Sequence, residues 1–372
     1  MSYIWGQKRQ PPCKYRVVKI DYIIVGLGLA GIALVEELTR RNRSFLVFED
    51  ESQTSSLVAG GMYNPVVLKR FNPVWKGAEQ LEEALPHYKR LEEKFNATYD
   101  RKMDILRIFK SIEEQNNWFS ACDKPRLKSF LQPTIEDNPY AEVKAEFRMG
   151  RVKGTGRVDV RELVSDYRDY LQGQGLLIRE SFSHDDLELN DEEPQAELKY
   201  KGHQAQRIVF CEGNGVSENP YFNWLPLEGT KGELITIYAP ELSLNEVIKS
   251  AVFVMPLGND LYKIGATFNW SDKTNRPTDQ GREELLEKLK TVISCDFEIR
   301  DHEAGVRPTT PDRRPLLGKH PDHPQLAVFN GLGTRGVMSS PLLAIQLVEH
   351  LENETELVEE VNISRFRRLL PA

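Results

Sequence analysis

The sequence predicts an α/β fold in which an open, largely parallel sheet domain is assembled from separated segments and interrupted by a second domain. The first observation is a strand–turn–helix–strand pattern over residues 20–50. The second is that glycine-rich turns follow strand-like runs three times, at residues 26–31, 213–215 and 331–336. Because ligands bind outside the carboxyl ends of the strands of such a sheet, these turns should converge on one crevice.

The opening pattern has the spacing of a dinucleotide-binding unit. Residues 22–25 form a short apolar run, residues 26–31 read GLGLAG, and an amphipathic helical pattern follows. A second apolar run, residues 45–48, leads directly into Glu49. A Rossmann-like site places a strand, a glycine turn, a helix and an acid in this order. The alternative is a glycine turn in a sheet protein that binds nothing.

Each part of this pattern has a mechanical reason. Gly26 permits the tight turn, Gly28 presents no side chain to a pyrophosphate, and Gly31 lets the helix pack closely on the strand. The helix N-terminus supplies free N–H groups and the positive end of the helix dipole. The carboxylate of Glu49 can accept hydrogen bonds from both ribose hydroxyls, and its charge would repel a 2′-phosphate.

The bulk properties are those of an ordinary globular protein. A chain of 372 residues is long enough for two domains or one large discontinuous unit. The net charge of −7 does not point to nucleic-acid binding. The four cysteines have neither metal nor CxxC spacing, so we expect reduced thiols. His320 and His323 lie in a proline-rich run that is interpreted as a surface loop, so no metal site is predicted.

The sequence gives no sign of a membrane span. Residues 1–16 lack the apolar core of a signal peptide and are interpreted as an N-terminal extension. The longest apolar run, residues 23–35, has 13 residues, which is too short to cross a bilayer. The expected location is therefore the cytoplasm.

The rest of the chain alternates helical and strand-like patterns. The patterns predict helices at residues 78–95, 111–122, 160–171, 281–293 and 341–351. They predict strands at residues 176–178, 197–200, 207–211, 233–238, 251–255, 261–266 and 326–330. Asp159 is a candidate N-cap, the acidic residues 185–194 suggest a hairpin tip, and Ser340 with Pro341 indicates the first turn of the last helix.

Two further segments carry residues with chemical potential. Gly60 and Gly61, in LVAGGMYNPVVLKRF, would let the backbone approach a flat ring system, or they belong to a loop without a ligand. Arg307, in EAGVRPTTPDRRPLLG, precedes a proline and should lie in extended backbone. Its guanidinium could clamp a carboxylate with two parallel hydrogen bonds, or it could form a structural ion pair.

Together these segments resemble the FAD-dependent family of D-amino acid oxidase, glycine oxidase and sarcosine oxidase. The matching pieces are DYIIVGLGLAG with Glu49, LVAGGMYNP, RIVFCEGNG, KGELITI, MPLGNDLYKIGAT, GVRPTTPDRRPLLG and GLGTRGVMSSPLLA. They are spread over most of the chain and are far more specific than one glycine motif. The ending is similar to that of the FAD domain in the bifunctional tRNA wobble-uridine (5-methylaminomethyl) modification enzymes.

The resemblance implies a discontinuous Rossmann-like FAD-binding domain of the GR2 type with an inserted substrate domain built on an antiparallel sheet. We assign residues 17–77, 150–225 and 305–372 to the FAD-binding domain, and residues 78–149 and 226–304 to the substrate domain. The predicted cofactor-binding residues are Gly26, Gly28, Leu29, Ala30, Gly31 and Glu49 for the ADP half, Gly61 and Met62 by the isoalloxazine, Gly213 by the pyrophosphate, and Gly331, Gly333, Thr334, Arg335, Gly336 and Val337 in the last turn.

The resemblance also implies roles at the reactive end of the cofactor. Arg307 matches the family arginine that binds the substrate carboxylate. Sarcosine oxidases attach FAD through a cysteine shortly after the matching arginine, whereas Pro308 and two threonines follow here, so noncovalent FAD is expected. Tyr63 and Lys69 are candidates for the substrate face of the flavin, and no catalytic acid or base is assigned.

Three functions are consistent with these motifs. The favoured one is FAD-dependent oxidation of the C–N bond of an amino acid or N-substituted glycine, a small molecule, by hydride transfer to flavin N5. The second is oxidation of a carboxymethylaminomethyl group on a tRNA wobble uridine, disfavoured because no methyltransferase half is present. The third is a flavin-binding module without catalysis. A tRNA substrate would need a basic face, for which the candidates are Lys69, Arg70, Lys76, Arg313, Arg314 and Lys319.

Overall fold

The computed structural model describes residues 19–189 and 197–371. The predicted N-terminal extension and residues 190–194 of the acidic hairpin tip lie outside the described residues. The α-helices are α1 (Leu29–Arg40), α2 (Ser55–Val58), α3 (Gly77–Phe95), α4 (Ile112–Cys122), α5 (Val160–Gly173), α6 (Asp279–Lys290) and α7 (Gly336–Asn353), and 3₁₀ helices span His184–Asp186, Gly213–Glu218 and Ile363–Leu369.

The strands are distributed over two large sheets and two small ones. They are β1 (Lys19–Val25), β2 (Phe45–Phe48), β3 (Met62–Tyr63), β4 (Val66–Val67), β5 (Asn72–Pro73), β6 (Asp100–Lys102), β7 (Ile105–Ile108), β8 (Leu131–Glu136), β9 (Met149–Val152), β10 (Gly156–Val158), β11 (Leu177–Ile178), β12 (Leu187–Glu188), β13 (Leu198–Tyr200), β14 (His203–Phe210), β15 (Glu228–Tyr238), β16 (Val247–Lys249), β17 (Phe253–Gly258), β18 (Leu261–Gly265), β19 (Glu298–Thr309), β20 (Leu316–Lys319) and β21 (Leu326–Asn330).

The first large sheet carries the opening βαβ unit. Its parallel part runs in the order β11, β2, β1, β14 and β21, and β20, β13 and β12 add antiparallel strands. Neighbouring residues of β1 face opposite sides: Ile24 packs with α1 and α7, whereas Ile23 packs with Phe222 and Trp224. Both faces are covered, which explains why these strands are apolar throughout.

The second large sheet forms the inserted domain. Its order is β19, β15, β18, β17, β16, β7, β9 and β8, with antiparallel neighbours except for the parallel pair β16 and β7. Ile235, Val254 and Ile264 point from one face into a core with Leu285 and Leu289 of α6. The other face is therefore left to line the functional site. The predicted fold, a Rossmann-like domain with an inserted antiparallel-sheet domain, is confirmed.

The packing of α3 differs from the predicted domain boundaries. The predicted boundaries placed residues 78–149 in the substrate domain. In the structure, Leu81, Tyr88 and Leu91 of α3 pack in the same core as α1 and α7. Likewise, β9 pairs with β7 in the second sheet, and β19 continues across the boundary proposed at residue 305. An apolar helix stripe indicates that a helix is packed, but not which domain it packs against.

The five predicted helices are all present, and Asp159 caps α5 by accepting a hydrogen bond from the N–H of Glu162 at 3.3 Å. The prediction that Pro341 lies in the first turn of the last helix is wrong, because α7 already begins at Gly336. Several strands were not predicted, notably β7, β9, β16 and β19. The outer part of β19 is rich in charged, exposed residues, which hides its strand character.

Pro341 is tolerated inside α7 because a residue of another helix donates the hydrogen bond that the proline cannot donate. A proline at this position has no N–H for the carbonyl four residues earlier, which belongs to Val337. The buried hydroxyl of Tyr88 in α3 donates to this carbonyl at 2.7 Å. The contact holds α3 against the first turns of α7, which lie beside the functional cavity described below.

In the part of the chain that the structure describes, none of the helices combines the length and the apolar character that crossing a membrane requires.

We expect Tyr88→Phe to lower the free energy of unfolding by about 1–3 kcal/mol, because it leaves the buried Val337 carbonyl without a hydrogen bond. Urea unfolding followed by circular dichroism measures this change. Tyr170→Phe is the matched control: Tyr170 is at the surface, and the loss of its hydroxyl should change the same quantity by less than about 0.5 kcal/mol. Equal effects of the two substitutions would contradict the assignment.

Candidate cofactor and substrate site

One cavity of about 1060 Å³ lies at the carboxyl ends of the parallel strands. The residues that follow β1, β2 and β14, namely Gly26, Glu49 and Cys211, all line it, as does Asn330 at the end of β21. The second sheet contributes the opposite wall, including Leu234 of β15. The convergence predicted from the three glycine turns is therefore present in the structure.

The GLGLAG turn owes its shape to close backbone contacts. Gly26 has a φ of +95°, and a Cβ there would lie 2.6 Å from the carbonyl oxygen of Cys211. A Cβ on Gly31 would lie 2.2 Å from the carbonyl oxygen of Gly26. Neither position can carry a side chain, so the turn brings the N-terminus of α1 directly to the cavity wall, which Gly28 lines next to the hydroxyl of Ser56.

Glu49 is held in place from two sides. Its buried carboxylate accepts hydrogen bonds from the Leu27 N–H of the glycine turn and from the guanidinium of Arg168 in α5. Arg168 is itself buried and was not predicted, since nothing in the sequence connects it with the turn. The pair fixes an acceptor at the end of β2, where a ribose would lie in a dinucleotide site.

Backbone packing requires a glycine at position 61. It has a φ of +71°, and a Cβ would lie 1.9 Å from the carbonyl oxygen of Val158 in β10. The N–H of Val158 donates to the Gly61 carbonyl at 2.9 Å. These contacts hold the segment with Gly60 and Met62 against the cavity, which both residues line.

Two hydrogen bonds fix the last glycine turn: one joins it to the glycine turn at residues 213–215, and the other joins it to β19. The amide of Asn330 donates to the carbonyl of Gly213 at 2.8 Å, and the N–H of Gly333 donates to the carbonyl of Pro308 at 3.0 Å. The second bond ties the last glycine turn to the strand that carries Arg307. Asn330 was not predicted as a site residue, although it stands directly before the last glycine turn.

Most of the predicted cofactor-binding residues face the cavity. Gly31 and Gly331 do not line it, and both contribute to the shape of their turns instead. The predicted residues that do line it are Gly26, Gly28, Leu29, Ala30, Glu49, Gly61, Met62, Gly213, Gly333, Thr334, Arg335, Gly336 and Val337.

Arg307 projects from β19 into the same cavity. A Cβ on Gly232, in the neighbouring strand β15, would lie 1.8 Å from a guanidinium nitrogen of Arg307, so the side chain lies directly across this glycine. The guanidinium donates to the carbonyl of Thr267 at 3.3 Å and stacks 4.7 Å from the ring centre of Phe268. Within the described residues it has no carboxylate partner, and burial lowers its pKa to about 10.

The loop that carries Phe268 is anchored by a buried lysine. Lys231 in β15 is 0% exposed, and its ammonium group binds Asp272 at 2.5 Å and the carbonyl of Arg276. Its backbone pairs with Asn269 of the same loop. Phe268 therefore stays beside Arg307 although it is 61% exposed.

Tyr63 and Lys69, the candidates for the substrate face, both line the cavity. The hydroxyl of Tyr63 donates to Asp100 at 2.8 Å and accepts from Lys102 at 3.0 Å. Burial and the charge of Asp100 raise the pKa of Tyr63 above its usual value. Because its proton is bound elsewhere, this geometry disfavours Tyr63 as a base. Lys69 is exposed at the edge of the cavity.

The predicted basic residues are only partly grouped. Lys76 and Arg314 flank the ring of Trp75, at 5.4 and 5.6 Å from its centre. The charges of Arg313 and Arg314 help burial to lower the pKa of Arg335, which lines the cavity. Lys319 lies elsewhere, in β20, where it is close to Arg207.

The fold and the cavity define a dinucleotide-binding protein with a second sheet domain that faces the site. The chain belongs to the FAD-dependent oxidoreductase family (DAO), whose family model matches residues 21–350. The residues present fit this cofactor: Gly28 presents backbone without a side chain to the cavity beside the Ser56 hydroxyl, and the carboxylate of Glu49 lies at the same turn, where it accepts from the Leu27 N–H. The cavity extends from this turn to Arg307.

Individual relatives are similar over different parts of the chain. Glycine oxidase from Bacillus subtilis is 21% identical over 357 residues, which covers 90% of this chain and 93% of that protein. The tRNA 5-methylaminomethyl-2-thiouridine biosynthesis bifunctional protein MnmC of Idiomarina loihiensis is 28% identical over 180 residues, which covers 44% of this chain and 29% of that protein. The matched region thus spans less than a third of the length of the tRNA-modifying relative.

Among solved structures, glycine oxidase from Geobacillus kaustophilus superposes with a TM-score of 0.74 at 20% identity and covers 94% of this chain and 98% of that chain. This likeness establishes the fold. The predicted family, FAD-dependent oxidoreductases of the glycine oxidase type, is confirmed.

We expect Gly232→Ala to weaken the binding of small carboxylates by about tenfold or more, because the added methyl group displaces the Arg307 guanidinium. The change in flavin absorbance on titration with methoxyacetate, a carboxylate that cannot be oxidised as an amine, measures the dissociation constant. Gly173→Ala is the control, since a Cβ there meets nothing within 4 Å. Unchanged methoxyacetate binding in Gly232→Ala would show that Arg307 does not receive the carboxylate.

Proposed function

We propose that the protein oxidises an amine that carries a carboxylate on the adjacent carbon, either an amino acid or an N-substituted glycine. The single observation that carries this proposal is Arg307, a half-buried arginine whose guanidinium lines the cofactor cavity without a carboxylate partner among the described residues. The family supplies the redox chemistry, and Arg307 supplies the reason for a carboxylate-bearing substrate.

A buried, uncompensated cation is unfavourable unless a ligand pairs with it. The planar guanidinium offers parallel donors that match the two oxygens of a carboxylate. Gly232 on one side and Phe268 on the other leave the side chain little freedom to turn away. This arrangement supports Arg307 as the group that binds and orients the substrate carboxylate.

When bound, FAD supplies the acceptor for the hydride that is removed from the carbon next to the nitrogen. The residues of the chain then act by positioning, because Arg307 holds the carboxylate and thereby fixes the neighbouring carbon relative to the cofactor. Such orientation can contribute ~7–11 kcal/mol to lowering a barrier. No side chain that lines the cavity is required as a dedicated acid or base in this proposal.

We infer that FAD is bound without a covalent bond. Arg307 is followed by Pro308 and two threonines. Cys211, which does line the cavity, is a buried residue whose carbonyl packs against Gly26, and burial raises the pKa of its thiol. Acid precipitation of the protein should therefore leave yellow FAD in the supernatant. Flavin that stays with the precipitated protein after washing would overturn this inference.

A second candidate function is oxidation of a modified wobble uridine in tRNA. The observation that favours it is the group of Trp75, Lys76, Arg313 and Arg314 near Arg335, which offers an aromatic ring between positive charges. Stacking on an aromatic side chain together with nearby cations is typical of contacts with nucleic acids. We rank this function second because the similarity to the Bacillus subtilis glycine oxidase covers 93% of that protein, whereas the MnmC protein of Marinobacter nauticus, which matches 93% of this chain, is covered over only 58% of its own length.

The proposed function is tested by anaerobic mixing with a panel of N-substituted glycines, D-amino acids and carboxymethylaminomethyl uridine, free and in tRNA. Loss of flavin absorbance at about 450 nm identifies the electron donor. We expect reduction by at least one small amine with an adjacent carboxylate. Reduction by the tRNA alone would favour the second candidate, and a flavin that no amine reduces would indicate a module without catalysis.

We expect Arg307→Gln to retain FAD and to raise the KM for the identified amine by about 10–100-fold, the loss expected for hydrogen bonds to a charged group. Stopped-flow reduction as a function of substrate concentration measures this change. Arg300→Gln is the control, since Arg300 is an exposed arginine on the same strand that pairs with Glu298. Equal kinetics in the two variants would remove Arg307 from the site.

A further inference from the structure

A second group of cations lines the cavity around the turn between β16 and β17. It consists of Arg107 on β7, Lys110 just after β7, Lys249 at the end of β16 and Lys288 on α6. Arg107 and Lys249 are register partners on adjacent strands, so their positions are fixed by the sheet. We call this group the distal cluster. None of these residues belongs to the predicted cofactor site.

The distal cluster carries more positive than negative charge. Arg107 pairs with Glu114, and Lys288 pairs with Glu284, each at 2.5 Å. Lys110 and Lys249 have no carboxylate partner in the described ranges, 19–189 and 197–371. Burial, together with the charges of Arg107, Lys288 and Lys110, lowers the pKa of Lys249 to about 8. Two uncompensated ammonium groups in one cavity repel each other, and a bound anion would remove this unfavourable interaction.

The distal cluster is well separated from Arg307. A path of paired residues leads across the sheet from Lys249 on β16 to Glu303 on β19. It takes four steps between neighbouring strands, through Phe253, Gly265 and Leu234. Four steps of about 4.8 Å give roughly 19 Å across the sheet, and Arg307 lies roughly 13 Å further along β19. One small carboxylate therefore cannot reach both cationic groups, even though both side chains are long.

The wall between the two groups is largely apolar. Leu234, Phe253, Ala266 and Ala251 line the cavity there. A ligand that fills this space would have an anionic group at each end and a less polar middle. Such a ligand is longer than glycine or sarcosine.

We propose that the distal cluster, with Lys249 and Lys110 at its centre, is a second anion subsite, and that the substrate is an N-substituted glycine whose substituent ends in a carboxylate or a phosphate. This inference rests on the proposed function, in which Arg307 binds the glycine carboxylate at the other end.

The experiment uses the purified holoprotein and ethers in which oxygen replaces the amine nitrogen, so that they bind without being oxidised. One series consists of alkoxyacetates of increasing length, and the matched series carry a terminal carboxylate or a terminal phosphonate. Flavin absorbance changes give the dissociation constants. At one chain length we expect a terminal anion to tighten binding about tenfold or more, and the preferred terminus distinguishes the carboxylate from the phosphate source.

In the double variant Lys110→Met/Lys249→Met the advantage of the terminal anion should disappear, while Lys89→Met, an exposed lysine on α3, should retain it. If a terminal anion gives no advantage at any length in the unmodified protein, or if the double variant keeps the advantage, the proposal is wrong. These outcomes are distinguishable from failure of the proposed function, which would appear as alkoxyacetate binding that does not depend on Arg307.

Discussion

The structure of the site depends on one backbone crossing, at which the turn after β1 contacts the end of β14. Gly26 is so close to the Cys211 carbonyl, and Gly31 so close to Gly26, that any side chain at either glycine would separate these elements. The crossing sets the N-terminus of α1 against the cavity and brings the Leu27 N–H to Glu49. The other glycine turns take their positions from the same sheet, through the pairing of β14 with β1 and β21.

The second sheet adds chemistry to this frame through a small number of residues on β15 and β19. Gly232 provides the empty space over which Arg307 lies, and the adjacent Lys231 anchors the loop with Phe268. The hydrogen bond from Gly333 to Pro308 links this strand to the last glycine turn of the first sheet. The last glycine turn and the strand that carries Arg307 are therefore held together, although they are separate motifs in the sequence, and both line one cavity.

How much of the structure could be predicted depends on how close together in the sequence the residues of each feature lie. The glycine turn, Glu49 and the helices are encoded in short patterns, and the fold class followed from their order. The partners Arg168, Gly232 and Asn330 could not be found in this way, because each acts on a residue far away in sequence and on a different element. Pro341 was misplaced for the same reason: only the distant Tyr88 makes a proline acceptable inside α7.

The local charge of the cavity differs from what the net charge of the chain indicates. The net charge of −7 gives no indication of anionic ligands, yet the cavity collects Arg307, Arg335, Lys110 and Lys249. The acidic residues of the cavity lining, Glu49, Asp50, Glu180, Glu212 and Glu218, lie in segments that follow strands of the first sheet. Arg307 and Lys249 lie instead on strands of the second sheet, in a concave site where fields are stronger. Anions should thus be drawn to the second-sheet side of this cavity although the protein is acidic overall, and under the proposed function the spacing between Arg307 and the distal cluster would select the length of the ligand.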